Sequence, residues 1–536
     1  MQFLDHALRL LGGKLDAGAR EGPVLASVRK VAQMGEEEFA SLAGGPDEAP
    51  LFLFLEDAAE TEFVRRAVWA LGGPEVVVAA PQPQRRFRFE RDPALWPFTG
   101  VTLEEREHRP VGTIAESGSH IEPLITADAG PVFVRWKSPS RRVYLSLVPL
   151  PADTSLLKRE FQAARFMGLL PVLAFARDAL AEHGWRSGGP LASVVIDDPN
   201  LRFLRYGFVD LVRLLADSRL GAAHLAIAMI PLDYAKSRSG PARFFRQNPK
   251  RLSLVIHGVD HRRCEFESAV SLRHAEQMLS LAVARMALHR DRTGIEHANA
   301  MTFPHGRCNE TWLRAMRNVG LDAAITDRAF PFRSEDEIDD RLYELHPAQT
   351  TFAGFPVVNR FKAEEPKEEL LFQAYLGKPL IVYTHHGFFR SGHEPLIEIV
   401  EFVEGHLQPR WTDIGTILAA NYQLRRSNRG WQARVFSNRA RLHAPSSIDA
   451  VIKPGREFAA DERCWIDGSP VDVVELDGVG QLVAPAALGS SGLIEFGPAT
   501  KIAPAQQVRA SFVSRARRMA TELRDQSMGI VAGRLQ

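Results

Sequence analysis

Two adjacent carboxylates, Asp197 and Asp198, follow the run Ala192-Ser193-Val194-Val195-Ile196 and are closed off by Pro199. The apolar run reads as a buried strand, and the residue before a proline is pushed to extended backbone. Both acids are therefore expected at the carboxyl edge of a parallel sheet, where α/β folds place their chemistry. Three more strand-like runs end in imidazoles. Residues 251–256 lead into His257-Gly258-Val259-Asp260-His261, residues 299–303 into Pro304-His305-Gly306, and residues 379–384 into His385-His386-Gly387. One carboxylate and two neutral imidazoles make an open facial site for a divalent ion, with positions left for water and substrate. A lone His-x-x-x-His is more often a pair of ordinary surface or core histidines, and its company with the aspartate pair favours ligation. The other carboxylate is then free to act as a base toward water, while a histidine opposite protonates a leaving group.

Other residues near these strand ends have two readings each. Asp260 either orients a neighbouring imidazole or caps a helix. If the pleat continues, His385 and His386 point to opposite faces, so one of them faces the site. His305 is a candidate pocket residue, although turn geometry alone accounts for Pro304 and Gly306. Tyr206, Phe388 and Phe389 are candidate sugar-stacking aromatics, with core packing the plainer role.

The pattern resembles the polysaccharide deacetylase family, also known as the NodB-homology or carbohydrate esterase family 4 fold, over roughly residues 185–425. Its first motif matches as Val195-Ile196-Asp197-Asp198, its second as His257-Gly258-Val259-Asp260-His261, and its last as Ile381-Val382-Tyr383-Thr384-His385. The third motif, Arg-x-Pro-x-Gly, is answered by Thr302-Phe303-Pro304-His305-Gly306. The resemblance implies a distorted (β/α) barrel in which Asp197 is the base, His385 the acid, and Asp198, His257 and His261 hold a divalent metal, expected to be zinc. It also implies a carbohydrate substrate, for which Pro304, His305, Tyr206 and His386 are the candidate contacts in this chain. Pro199 replaces the usual glycine, Gly258 the usual Ser or Thr, and Thr302 the arginine that pairs with the catalytic aspartate. The chain thus looks like a divergent branch. Without a cationic neighbour, the Asp197 pKa is expected above that of an arginine-paired aspartate, unless Arg202, Arg205 or Arg307 fills the role. The missing arginine also leaves open a non-catalytic glycan-binding or polysaccharide-assembly protein. A glycoside hydrolase on the same barrel would need a distant second carboxylate such as Asp233 or Glu394.

With 66 Lys and Arg against 65 Asp and Glu, the 536-residue chain carries no global field that would point to nucleic acid or to a membrane surface. Its three cysteines, Cys264, Cys308 and Cys464, are far apart and read as reduced thiols. No segment reaches the roughly 20 apolar residues needed to span a bilayer. Residues 1–11 read as a short amphipathic helix rather than a signal peptide, so a cytoplasmic location is expected. The sequence does not set the oligomeric state.

Five regions are expected. Residues 1–150 form an α/β accessory domain, with strands at 51–55 and 75–79 around a helix at 61–71, and 151–184 a helical connector. Residues 185–425 form the barrel, 430–505 a small β-sandwich rich in alternating residues and turns, and 506–536 a helical tail with a solvated charged face, a membrane-surface or partner contact being the lesser alternative. The stretch 82–89, alternating Gln, Arg and Phe, reads as a solvated edge strand rather than a nucleic-acid patch.

Overall fold

The computed structural model describes residues 2–532, apart from 14–23, 36–48, 118–119, 140, 153–156, 328–341, 343, 351, 456–457 and 477–480. The start of the expected connector helix and the turn at Asp477-Gly478 lie outside the described residues. The chain forms two compact units, 1–186 with 339–345, and 187–338 with 346–536.

The first unit is a seven-stranded mixed sheet in the order Val24–Ser27, Leu51–Leu55, Arg142–Pro149, Gly130–Lys137, Glu122–Ala127, Val76–Phe89, Thr102–Ser117. Leu51–Leu55 is buried at every residue because both faces of the sheet are covered. Helices Val28–Gln33 and Val64–Ala70 cover one face. On the other, Phe52, Tyr144 and Phe133 meet Phe175 of helix Leu170–Leu180 or one another. The stretch 82–89 is not a simple edge. It pairs with Thr102–Ser117, and at Phe87–Phe89 also with Glu122–Ala127. Phe87 and Phe89 alternate inward, while Arg85 and Arg88 face solvent paired with Glu104 and Glu90.

In the second unit eight parallel strands make a nearly closed barrel: β1 (Leu191–Asp197), β2 (Leu225–Met229), β3 (Leu252–His257), β4 (His297–Thr302), β5 (Ala323–Thr326), β6 (Val357–Asn359), β7 (Phe361–Lys362) and β8 (Leu380–His385). Their order is β6-β5-β4-β3-β2-β1-β8-β7. Because β6 pairs with β5 and β7 with β8, one continuous run, 357–362, meets both open edges of the sheet. Arg360 is the residue between them. The expected βα alternation is present, including the long helix Leu272–Thr293 and helix Glu310–Asn318, but the split strand at 357–362 was not anticipated.

The two-residue period of the strands sorts their side chains. Val195, Val255, Ala300, Val358, Ile381 and Tyr383 fill the barrel interior, whereas Val194, Ile196, Leu254, Ile256 and Met301 pack outward on the helices. By the same parity Asp197, His257, Thr302, Arg360 and His385 continue the inward rows at the carboxyl mouth.

The last barrel helix is Ile414–Ala419, and Tyr422–Arg426, mostly inside the range expected for the barrel, belongs to the following β-structure. There Tyr422–Arg426, Trp431–Val435, Ile448–Pro454 and Gln481–Leu488 face Arg439–His443, Ser491–Pro498 and Glu462–Ile466 across a core of Val435, Leu442, Val451, Cys464 and Phe496.

The C-terminal helix Phe512–Ala532 departs most from expectation. Ser514, Arg518, Glu522 and Asp525, one polar stripe at spacings of three and four, are buried rather than solvated. Arg518 donates through Nε to Asp233 Oδ2 at 2.9 Å and through Nη2 to the Asp198 carbonyl at 2.9 Å. Lys236 bridges Asp233 and Glu522, and Arg517 donates to the Asp260 carbonyl. A buried ion broken on one side leaves the other uncompensated. Arg518→Met is therefore expected to cost about 3–5 kcal/mol through the stranded Asp233 carboxylate. Denaturant unfolding followed by tryptophan fluorescence measures it, and a loss below about 1 kcal/mol would show that the helix network contributes little.

Candidate active site

Asp197 and Asp198 leave the same strand in different directions. Asp197 keeps the pleat and is wholly buried inside the barrel mouth. Its Oδ1 accepts from Arg360 Nη1 at 2.9 Å, and its Oδ2 lies 3.8 Å from His385 Nε2. Asp198 takes φ 84°, a left-handed conformation that aspartate tolerates better than most side chains, and turns toward the histidines. Its Oδ1 is 3.1 Å from His261 Nε2 and 3.6 Å from His257 Nε2.

These three ligand atoms lie within 4.8 Å of one another. His257 Nε2 is buried with no hydrogen-bond partner, the condition of a donor atom pointed at a cation. The imidazole is prepared for it. Thr302 donates its hydroxyl hydrogen to the Ile256 carbonyl at 3.1 Å, so its oxygen accepts from His257 Nδ1–H at 2.8 Å. That fixes the tautomer whose Nε2 lone pair is free. Burial pushes the His257 pKa down to about 3, which keeps the ring neutral. Burial works against the charged form of His261 as well, but the Asp198 carboxylate outweighs it and raises the imidazole pKa. Asp198 is correspondingly held well below the usual carboxylate range, burial notwithstanding, by His261 and then His257.

The loop carrying His261 is held by a residue the sequence did not single out. The Glu265 carboxylate accepts from the backbone N–H groups of Val259 (2.9 Å), Asp260 (2.8 Å) and His261 (3.3 Å). Gly258, at φ 66°, explains its own departure from the family pattern. A Cβ there would stand 2.5 Å from a Glu265 oxygen and 2.6 Å from Pro304, so the Ser or Thr expected at that place does not fit. Asp260 is neither a helix cap nor a contact to an imidazole. It receives Arg285 at 2.7 Å and Ser514 at 2.9 Å, tying the loop to the C-terminal helix.

Arg360 corrects the expectation drawn from Thr302. None of Arg202, Arg205 or Arg307 is needed, since a guanidinium from the barrel seam already reaches Asp197. Burial alone would raise the Asp197 pKa, but Arg360, followed by His257 and His385, overrides it and leaves the carboxyl below its ordinary value. The guanidinium also lies over the Tyr383 ring, 3.8 Å from its centroid, and the Tyr383 hydroxyl donates to Asp327.

Of the remaining expected site residues, His385 is 55% exposed at the mouth, and His305, at φ 62°, is exposed with its ring centroid 5.5 Å from that of His261. Pro304 is buried against Gly258 and shapes the loop from beneath. Tyr206 and His386 do not meet the cluster. His386 follows the outward parity, and Tyr206 is buried beside it; Asp525 of the C-terminal helix accepts from the Tyr206 hydroxyl at 2.9 Å and lies 3.6 Å from His386 Nε2. Their expected contact with substrate is withdrawn. Phe389 is core, and Phe388 packs partly buried against it. The carboxylates considered for a glycosidase fare no better. Asp233 is wholly buried among Arg518, Lys236 and Asn200, and Glu394 pairs with Arg219.

No family model matches the sequence, and no curated protein matches it. Solved structures do. The carbohydrate deacetylase Agd3 superposes with a TM-score of 0.50 at 12% identity, over 93% of this chain and 96% of that one. The chain has the carbohydrate deacetylase fold. A putative polysaccharide deacetylase from Mycobacterium smegmatis (12% identity, 43% of this chain and 91% of that one, TM-score 0.29) also matches. So does a family 4 carbohydrate esterase from Streptomyces lividans in complex with acetate (11% identity, 41% and 90%, TM-score 0.26).

Two outcomes check the geometry. Thr302→Val, close to isosteric, removes the acceptor for His257 Nδ1–H and is expected to weaken divalent-metal binding about 10- to 100-fold in a chelator competition; unchanged affinity would show that Thr302 does not set the tautomer. Arg360→Met removes the nearest positive charge from Asp197, so the carboxyl pKa rises and it protonates at higher pH. The acid limb of the rate profile is expected to move upward, and a limb that stays in place would mean that Asp197 is not the group it reports.

Proposed function

We propose that the chain is a metal-dependent hydrolase that removes an N- or O-acyl group, acetyl in the first instance, from a polysaccharide or sugar conjugate. The observation that carries this reading is the division of labour at one strand end. Asp198 joins His257 and His261 as a ligand set, while Asp197, directed elsewhere by Arg360, keeps one buried oxygen unbonded and facing His385. A divalent ion held by the three ligands, most simply zinc given two imidazoles and a carboxylate, would polarise the acyl carbonyl and lower the pKa of water there.

The chain's own residues supply the rest. Asp197, kept ionised by Arg360, takes a proton from the attacking water. His385, exposed at the mouth on the strand next to that of Asp197 and 3.8 Å from it, would give a proton to the leaving amine or alcohol. His305, beside His261 at the rim, is placed to contact the sugar. The best support for a non-catalytic protein was the absent arginine of the third motif, and Arg360 supplies a cation to Asp197 in its place.

The test pairs metal analysis with acetate release from a panel of acetylated sugars. Asp198→Ala is expected to lose the metal. Asp197→Asn is expected to keep it and to lose turnover by about 10² to 10⁴, the weight of a general base. Equal metal loss in both variants would make Asp197 a ligand and overturn the assignment, and a metal-loaded wild type that releases no acetate would overturn the hydrolase reading for that panel.

A further inference from the structure

The C-terminal helix is built inside out. Its polar stripe, Ser514, Arg518, Glu522 and Asp525, is the buried one, and the face it turns to solvent is apolar: Phe512 is 78% exposed, Val513 74%, Met519 54% and Leu523 62%, with Ala520 exposed among them. Such a row is unusual on a solvated helix, whose outer face is ordinarily the charged one. From Phe512 to Leu523 the row extends about 16 Å along the axis.

The charges around this row have one sign. From residue 501 onward the chain contains only two acids, Glu522 and Asp525, and both are buried against the barrel. Lys501, Arg509, Arg515 and Arg524 remain exposed, Arg524 with its guanidinium donating to Asp525 at 2.8 Å. Beside the helix, Arg202 lies 3.6 Å from Glu522, and the adjoining Phe203 is itself an exposed aromatic under the guanidinium of Arg238. The surface therefore presents apolar side chains within a basic border.

We propose that this face docks the protein on an anionic lipid bilayer, with the helix lying in the plane of the interface. Aliphatic, thioether and phenyl groups flanked by arginines suit the boundary between headgroup and acyl chain, and anionic headgroups supply a counter-charge for Arg509 and Arg515. A second copy of the chain is a poorer occupant. Its identical face would bring Arg509 and Arg515 against their own counterparts, with no exposed acid on the helix to offset them. The inference is independent of the barrel's chemistry. No helix among the described residues is long and apolar enough to cross a membrane, and this helix lies on one instead.

Co-sedimentation of the full chain with vesicles of mixed phosphatidylglycerol and phosphatidylcholine, and with phosphatidylcholine alone, tests the proposal. Partition into the anionic vesicles is expected, decreasing with added salt and weak for the neutral ones. Met519→Glu/Leu523→Glu should reduce it at least about tenfold, and Arg509→Gln/Arg515→Gln by about fivefold per arginine. Unchanged melting temperature and metal content in both variants show that these outward substitutions leave the fold alone. No partition of the wild type, equal partition into neutral vesicles, or partition that survives Met519→Glu/Leu523→Glu would each overturn the proposal. A wild-type dimer by light scattering that the same double variant dissociates, without vesicle binding, would assign the face to a second copy instead.

Discussion

A carboxylate wholly removed from water must have a counter-charge or lose its ionisation, and most of the organisation at the barrel mouth answers that demand for Asp197. The cation comes from Arg360, itself buried, and Arg360 stands between the short strands β6 and β7 that meet the two open edges of the sheet. The ion pair thus joins the start of the barrel to its seam. On the inward parity of the run 357–362, Arg360 needs only to continue the row begun by Val358 to reach Asp197. The same pair separates the two aspartates chemically, since the oxygen committed to Arg360 is unavailable for a metal and the other faces His385.

What the sequence made legible follows from periodicity. Strands β1, β3, β4 and β8 end in motifs because each is long enough for an apolar row to be seen, and inward parity then places Asp197, His257, Thr302 and His385 together. The run 357–362 was missed for the converse reason. Val357-Val358 and Phe361 are separated by Asn359 and Arg360, and neither half shows a period of its own. The signal that could have found Arg360 was electrostatic rather than periodic: an inward aspartate without the family's arginine requires a cation from some other strand. Glu265 left no comparable trace, because a carboxylate gathering three backbone N–H groups has no spacing signature.

The tail was misread through a different ambiguity. Arg518 and Glu522 at spacing four look the same in sequence whether they pair across a solvated face or line a buried one. Only the partners decide, and Asp233, Lys236, Tyr206 and His386 lie some 130 to 320 residues away in the chain, as the hydrogen bonds to residues 518–525 show. Apolar residues at 512, 519 and 523 were the available warning, since a helix whose charged side faced water would have had to bury them.

These buried contacts also bear on how the candidate metal ligands are kept in place. Asp198, His261 and His305 all have positive φ, a cluster of strained backbone at the mouth that persists only where surrounding structure over-determines it. At Asp198 that restraint is Arg518, holding the carbonyl from behind. At His261 it is Glu265 on the loop's N–H groups, with Arg517 on the Asp260 carbonyl and Ser514 on its carboxylate. Each restraint acts on backbone or on a residue beside the ligand, and none occupies a ligand atom, so the donors stay open while the chain that carries them is fixed. The helix thereby accounts for its own reversed polarity: its polar groups face inward because that is where the strained turns need donors and acceptors, and its apolar side is left outward as the consequence.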